Sequence, residues 1–320
     1  MTYIKKKLIN GRTYPYLTKS IRLPDGKVRS IQKLIRDKDL SIEELEKKYL
    51  DYFIEKERGL YMDYALKTYE TNPIFNKTQI GKIEEIKVDY LYTLKNFSRE
   101  QFRDVFDRFT ANFTYESNAI EGNSLTLKDV AIVMFDNRVI EGKDLREIYE
   151  TRNSRKVMDF VLRNRFKIRE RDIIKLHEML MKDIDTRTGY KKFPNYIIGS
   201  DVELTPPEKV KEEMDGLIEW YHEVISRIHP LQVSALFHGR FERIHPFEDG
   251  NGRVGRFLSN IILLKNKYPP IIIRKTQRDS YIKCLEDFHR GYTPNLERFF
   301  LDKYKKTYRK FFSMYLRYIR

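Results

Sequence analysis

The chain has 320 residues, enough for one large core or two modest domains, and its 62 Lys and Arg against 47 Asp and Glu leave a net charge of +15. No apolar run approaches the roughly 18 residues of a membrane span, and the start Met1-Thr2-Tyr3-Ile4-Lys5-Lys6-Lys7 lacks the apolar stretch of a secretory leader. The lone Cys284 excludes an intrachain disulfide and a cysteine-cluster metal site, and a cytoplasmic protein is expected.

The charge gathers at the two ends. Residues 1–40 hold 11 Lys and Arg against 3 acids, and residues 302–320 hold 7 against 1. Basic ends suit acidic partners or nucleic acid, but a solvated lysine-rich surface accounts for them more simply. Within the first 40 residues, Tyr3–Leu8, Thr13–Ser20 and Val28–Lys33 alternate in polarity and are separated by Asn10-Gly11 and Pro24-Asp25-Gly26. Both separators are turn chemistry. A small β meander is expected over 1–40, leaning on the helices that follow because three short strands bury little alone.

A helical segment, 41–97, comes next. Ser41 and Glu44 form a capping-box pattern, followed by Ile42, Leu45, Tyr49, Tyr52, Phe53, Leu60 and Tyr64 at helical spacing as far as Asn72-Pro73. A second helix is expected over Thr78–Lys95. At this spacing the tyrosines are packing rather than a stacking platform for bases. Ser98 and Gln101 cap a third helix with a stripe of Phe102, Phe106, Phe109 and Phe113, running to Ser117-Asn118-Ala119-Ile120-Glu121-Gly122. Ser117 and Glu121 lie one turn apart on one face, and Gly122 is placed to end the helix. A carboxylate at a helix C-terminus opposes the dipole, so Glu121 gains from a cationic partner.

Further helices are expected over Thr126–Phe135, Asp144–Arg163 and Arg171–Lys182. His177, among Leu176, Met179 and Leu180, reads as a packed histidine. The helical rhythm breaks between Thr188 and Thr205, where Gly189–Ser200 reads as an extended hairpin. Thr205-Pro206-Pro207-Glu208 then opens a helix with Thr205 as its cap. His222, His229 and His238 show no spacing diagnostic of zinc. Two last helices are expected over Ser280–Gly291 and Asn295–Arg320.

Between these lies the richest stretch, Ile244-His245-Pro246-Phe247-Glu248-Asp249-Gly250-Asn251-Gly252-Arg253-Val254-Gly255-Arg256. Pro246 ends the helix Leu231–Ile244 and pushes His245 out of helical geometry. Gly250-Asn251-Gly252 lets backbone N–H groups approach a ligand, and the helix that starts at about Asn251 offers an anion site at its N-terminus. Arg253 and Arg256, three apart, are expected on one face. The parts make a phosphate clamp with a base beside it. Gly250-x-Gly252-x-x-Gly255 is formally a dinucleotide fingerprint, but that motif needs a strand before it and here a helix precedes.

The stretch matches, at eight defined positions, the pattern His-x-Phe-x-(Asp/Glu)-Gly-Asn-Gly-Arg-x-x-Arg, and over roughly residues 100 to 300 the chain resembles AMPylating Fic-domain proteins. The resemblance implies a mainly α fold: a Fic-type helical bundle with a β-hairpin flap, the Fic core at 98–300, and a basic C-terminal helix at 301–320. It implies that His245 deprotonates a Ser, Thr or Tyr hydroxyl of a target protein, which attacks the α-phosphate of ATP. Asp249 would hold Mg2+ or Mn2+, Gly250, Asn251 and Gly252 would bind phosphate oxygens, and Arg253 and Arg256 would hold the β and γ phosphates. Phe247 would anchor the loop in the core, and Tyr281 would lie near the adenine. Tyr190, Tyr196, Ile197 and Ile198 would align the target along the flap. Ser117-x-x-x-Glu121-Gly122 resembles the family's inhibitory helix, in the class that carries it ahead of the core motif, and implies an ion pair from Glu121 to Arg256 that excludes the γ-phosphate. The expected function is an autoinhibited protein adenylyltransferase. Two alternatives stay open: removal of AMP by the same site with Glu121 positioning water, and a nucleic-acid-binding regulator with a secondary Fic core. The target, self-modification and a homodimer are left open by the sequence.

Overall fold

The structure, a computed structural model, describes residues 2–319 apart from 38, 164, 165 and 197–202. Strands β1 (Thr2–Ile9), β2 (Arg12–Arg22) and β3 (Val28–Leu34) form the expected meander, antiparallel in the order β1-β2-β3. Ile9 pairs with Arg12 across Asn10 and Gly11, both at positive φ, the turn whose twist suits a two-residue hairpin. Leu17, Ile21 and Ile31 give the sheet one apolar face. It is buried on Leu45, Phe53, Ile54, Val88 and Tyr92 of the helices α1 (Ile42–Lys48), α2 (Leu50–Thr68) and α3 (Lys77–Asn96).

Ser41 and Glu44 make their capping box as read. The single helical run expected after them divides at Tyr49, whose backbone leaves helical geometry at φ −106° and ψ 18°. The break lets α1 contact the sheet while α2 follows α3. α3 itself contributes to three apolar clusters, through Ile80 and Ile83, through Tyr90, and through Val88 and Tyr92. The expected division at residue 97 is therefore no gap in the packing.

α4 (Arg99–Ile120) starts on the Ser98–Gln101 capping box and buries Phe106, Phe109 and Phe113. It is followed by α5 (Leu127–Ala131), α6 (Leu145–Leu162), α7 (Glu170–Met181), α8 (Pro207–Val224), α9 (Pro230–Ile244), α10 (Asn251–Lys265), α11 (Arg278–His289), α12 (Pro294–Phe311) and α13 (Ser313–Ile319). α9 and α10 pack against each other at the centre. α9 also touches α8, α11 and α12, and α10 touches α4 and α7. Both helices are buried around most of their circumference, as helices enclosed by others. The site loop between them is thus held by the most buried part of the chain.

Five local expectations are corrected. The helix expected over Thr126–Phe135 becomes α5 and a π-helical turn at Ile132–Asp136. The cap of α8 falls on Pro206 without a side-chain bond, rather than on Thr205. A boundary at 300 would cut α12, whose Leu296, Phe300 and Phe311 all lie in the core, and the helix expected to run on to Arg320 breaks at Phe312. The hairpin flap does not appear in the described part of its segment: 189–196 contains no strand, and its backbone bonds go to the site loop instead. Ile197 and Ile198 lie outside the described residues. Among the described residues no helix is long and apolar enough to cross a membrane.

Phe109 is fully buried among Phe106, Phe113, Phe311 and Phe312, with ring centroids 5.9 to 6.5 Å away. Phe109→Ala is expected to cost about 3 to 5 kcal/mol in urea unfolding. A loss below about 1 kcal/mol would show that this cluster is not central to the bundle.

Candidate active site

α9 ends at Ile244, two residues before Pro246, and His245 closes it in the left-handed region at φ 49° and ψ 59°. A side chain in that region costs about 1 to 2 kcal/mol, so the surrounding loop must hold it there. Asn251 supplies one clamp: its Oδ1 accepts from Phe247 N at 2.9 Å and its Nδ2 donates to Phe247 O at 2.8 Å. Phe247 is fully buried and stacks face to face on His177 with centroids 3.8 Å apart. His177 donates through Nε2 to Asp249 O at 3.0 Å, and burial lowers its pKa to about 4, so the ring is neutral. The segment 189–196 straps the same loop from outside, with Lys191 N donating to Pro246 O at 2.8 Å and Asn195 Nδ2 to Phe247 O at 2.9 Å.

Phe247 is the buried residue the sequence led one to expect. Asn251 is not placed as expected. Its buried side-chain amide is spent on both backbone polar groups of one residue, Phe247, accepting from the N–H and donating to the carbonyl. His245 directs Nδ1 at Glu242 O, 3.3 Å away. A carbonyl only accepts, so Nδ1 carries the proton and Nε2 is left as the base. Burial lowers the His245 pKa to about 4. The Glu242 carbonyl opposes this, and the charge of Lys191 adds to it.

The anion site lies beside this base. α10 starts at Gly250 (φ 80°), and its first turn carries Gly252. A Cβ on Gly252 would overlap Glu121 Oε1 and come within 3.0 Å of Arg256 Nη1. The Glu121 carboxylate therefore rests on the backbone at the α10 N-terminus. Arg256, only 3 % exposed, donates from Nη2 to Glu121 Oε1 at 2.7 Å and to Ser117 O at 2.9 Å, and from Nε to Ser117 Oγ at 2.9 Å. The ion pair implied by the resemblance is present.

The expectation that Arg253 and Arg256 share a face is corrected. Arg253 is buried toward α6, with Nη1 3.0 Å from Glu150 Oε1 and Nη2 3.7 Å from Asp249 Oδ1. Each arginine has turned to its own acid. Asp249 also pairs with Arg146. Burial raises the Asp249 carboxyl, but Arg253, Arg146 and the Gly250 N–H outweigh it and leave the group below the usual carboxylate range. Glu150 accepts from Asn123 Nδ2 at 2.8 Å as well, so one acid ties Arg253 to the turn just beyond Glu121.

His222, His229 and His238 serve packing and hydrogen bonding as read. They meet Ile168 O at 2.9 Å, Glu84 Oε1 at 3.1 Å and the Tyr281 hydroxyl at 2.6 Å. That last contact corrects Tyr281, which is buried in the core rather than open beside a nucleotide. Of the expected flap residues, Tyr190 lies 6.0 Å from the Phe247 ring and Tyr196 is 85 % exposed. The sequence reading missed Glu150, Arg146, Glu242 and Lys191. Only Arg146 and Glu150 carried a signal, their four-residue spacing on one helix face.

Residues 167–263 match the sequence model of the Fic/DOC family. The chain is 32 % identical over 198 residues to "Protein adenylyltransferase Fic" of Drosophila erecta, covering 60 % of this chain and 40 % of that protein. It is 28 % identical over 224 residues to the protein of that name from Nematostella vectensis, covering 68 % and 51 %. The chain thus spans 40 to 51 % of the length of these curated relatives. Among solved structures it resembles a Fic family protein from Desulfovibrio desulfuricans, with TM-score 0.64, 26 % identity and coverage of 76 % and 75 %. A fragment of Fic-1 from C. elegans, at TM-score 0.63 and 22 % identity, covers 73 % and 70 % and shares the fold.

Asn251→Ala leaves the buried Phe247 N–H without its partner, at an expected cost of about 1 to 3 kcal/mol in urea unfolding without ligand. Unchanged stability would return the Asn251 amide to a ligand-binding role.

Proposed function

We propose, on the footing that residues 167–263 match the Fic/DOC family model, that the chain transfers AMP from ATP to a Ser, Thr or Tyr hydroxyl of a target protein, with Glu121 holding the site off. One observation carries the reading: a carboxylate lies on Gly252 at the α10 N-terminus and on the Arg256 guanidinium. An anion on a helix N-terminus beside a buried arginine stands where a terminal phosphate would bind. The likeness to proteins named protein adenylyltransferase supports the same reaction.

A hydroxyl is a weak nucleophile and needs a base in the transition state. His245, neutral and with Nε2 free, takes its proton. The hydroxyl oxygen bonds to the α-phosphorus, the bond to the bridging α–β oxygen breaks, and pyrophosphate leaves. Charge on the phosphates is met by the N–H groups of the first α10 turn, by Arg253, and by Arg256 once Glu121 has moved away. Asp249 would hold Mg2+ or Mn2+. Its carboxylate is ionised and already faces a cation, Arg146, and a single carboxylate suits an ion that completes its shell with phosphate and water oxygens. When bound, the ion neutralises phosphate charge. The segment at 189–196 is strapped to the loop and exposes Phe193 and Tyr196, a surface on which the target chain can lie.

A second reading rests on Glu121 itself. Its side chain stays 41 % exposed and its charge reaches His245, so it can orient a water that removes AMP from a modified protein.

His245→Ala is expected to abolish labelling by ATP carrying a radioactive α-phosphate while leaving ATP binding in place. Undiminished labelling would sink the base assignment. Glu121→Gly is expected to raise self-labelling roughly 5- to 150-fold, the span of ordinary coupling energies. Equal labelling by the parent chain would reduce Glu121 to a helix end. Loss of label from a modified target, stopped by the same substitution, would favour hydrolysis instead.

A further inference from the structure

Behind His245 lies an acid that the transfer reaction leaves without a task. Glu242, one turn earlier on α9, is 6 % exposed. Its Oε2 lies 4.0 Å from His245 Nδ1 and its Oε1 3.9 Å from His238 Nε2, and Oε1 has no hydrogen-bond partner. The carboxyl rests on Gly255 of α10: a Cβ there would overlap Oε1 and come within 3.0 Å of the His238 ring. Gly255 thus completes the apparent dinucleotide fingerprint for a packing reason, which is to leave room for an acid. An unpaired buried carboxyl is costly, and an apolar side chain of similar size would fill the same volume without that cost.

The neighbours narrow what the acid does. His238 is committed through Nε2 to the Tyr281 hydroxyl of α11. On its own helix this leaves His245 for the carboxyl to act on. From α10 it feels the Arg256 charge, and from the end of α4 that of Glu121. His289 acts on both histidines, and Lys191 acts on His245.

We propose that Glu242 is the positioning residue of the base: its carboxyl packs beside Nδ1 and holds the His245 imidazole in the orientation in which Nδ1 donates to the Glu242 carbonyl and Nε2 is left free. Burial pushes this carboxyl up to about 8, which Arg256 opposes and Glu121 reinforces. At neutral pH it is an uncharged acid, and the space behind the base carries no extra charge. Above that range it becomes a carboxylate 4.0 Å from Nδ1. It then competes with Glu121 and the phosphate for the Arg256 charge.

The inference rests on the proposed AMP transfer, and its test separates the two. In the full chain carrying Glu121→Gly, the His245 ring nitrogens are followed by NMR from pH 5 to 10, without turnover. A second inflection near pH 8 that vanishes in Glu242→Gln is expected. In turnover, transfer is expected to fall above about pH 8. Glu242→Leu is expected to lower kcat by up to roughly 100-fold, as for a misplaced reacting group, with the KM for ATP unchanged. Glu242→Gln, which keeps volume and an acceptor but cannot ionise, is expected to recover most of that loss and to remove the alkaline fall. A single inflection at His245, or full kcat in Glu242→Leu, overturns the inference. Absence of transfer in the parent overturns the reaction instead and leaves the ring titration readable.

Discussion

A guanidinium cannot shed its proton at any pH a protein meets, so a buried arginine obliges the fold to bring acceptors to it. Arg256 is buried one turn into α10, and α4 brings the acceptors: the Ser117 hydroxyl and carbonyl, and the Glu121 carboxylate. The Ser117 carbonyl is free to accept because the Glu121 N–H bonds to Asn118 O as the helix ends. A helix C-terminus favours a cation and disfavours an acid, so Arg256 resolves both ends of the problem at once. The price is set at Gly252, where a side chain would have no room. Through this one contact the end of α4 is fixed over the first turn of α10 and, by way of the loop, near His245.

The rest of the site follows the same rule of paired charge. Arg253 meets Glu150, and Asp249 meets Arg146. Every charged group expected to handle phosphate or metal is thus matched by a protein partner. The uncharged parts do a different job. Asn251, His177 and the 189–196 segment spend their polar atoms on the backbone of 246–249, which keeps His245 in a conformation its own backbone disfavours. Chemistry and scaffolding are divided between neighbours in one loop, and residue type alone does not say which is which.

That division explains what could be read in the sequence. The meander, the capping boxes at Ser41 and Ser98, the exit of α9 at Pro246 and the need of Glu121 for a cation all follow from patterns within a few residues, whereas Arg256 as that cation came from the family resemblance alone. The task of the Asn251 side chain could not be read because an amide between two glycines suits a phosphate and a backbone equally, and only the fold brings Phe247 to it. Glu150 and Glu242 looked like ordinary helix carboxylates, since the arginines and histidines that give them meaning arrive from other turns and other helices. The breaks at Tyr49 and Phe312 lie in unbroken apolar rhythm, where packing directions, and no local signal, bend the chain. The hairpin expected over Gly189–Ser200 was read from a break in helical rhythm and from glycines near its ends, but in its described part, 189–196, backbone donors go to acceptors in the site loop.

Because one guanidinium serves both Glu121 and the proposed phosphate, helix docking and nucleotide binding draw on a single equilibrium. If α4 is docked in about 99 of 100 molecules, the apparent Kd for nucleotide rises about 100-fold over that of the open site. Linkage runs both ways: nucleotide that captures Arg256 loosens the end of α4 by the same factor. A force on α4, from a partner or from a second copy of the chain, would then be felt at the site as a change in nucleotide concentration.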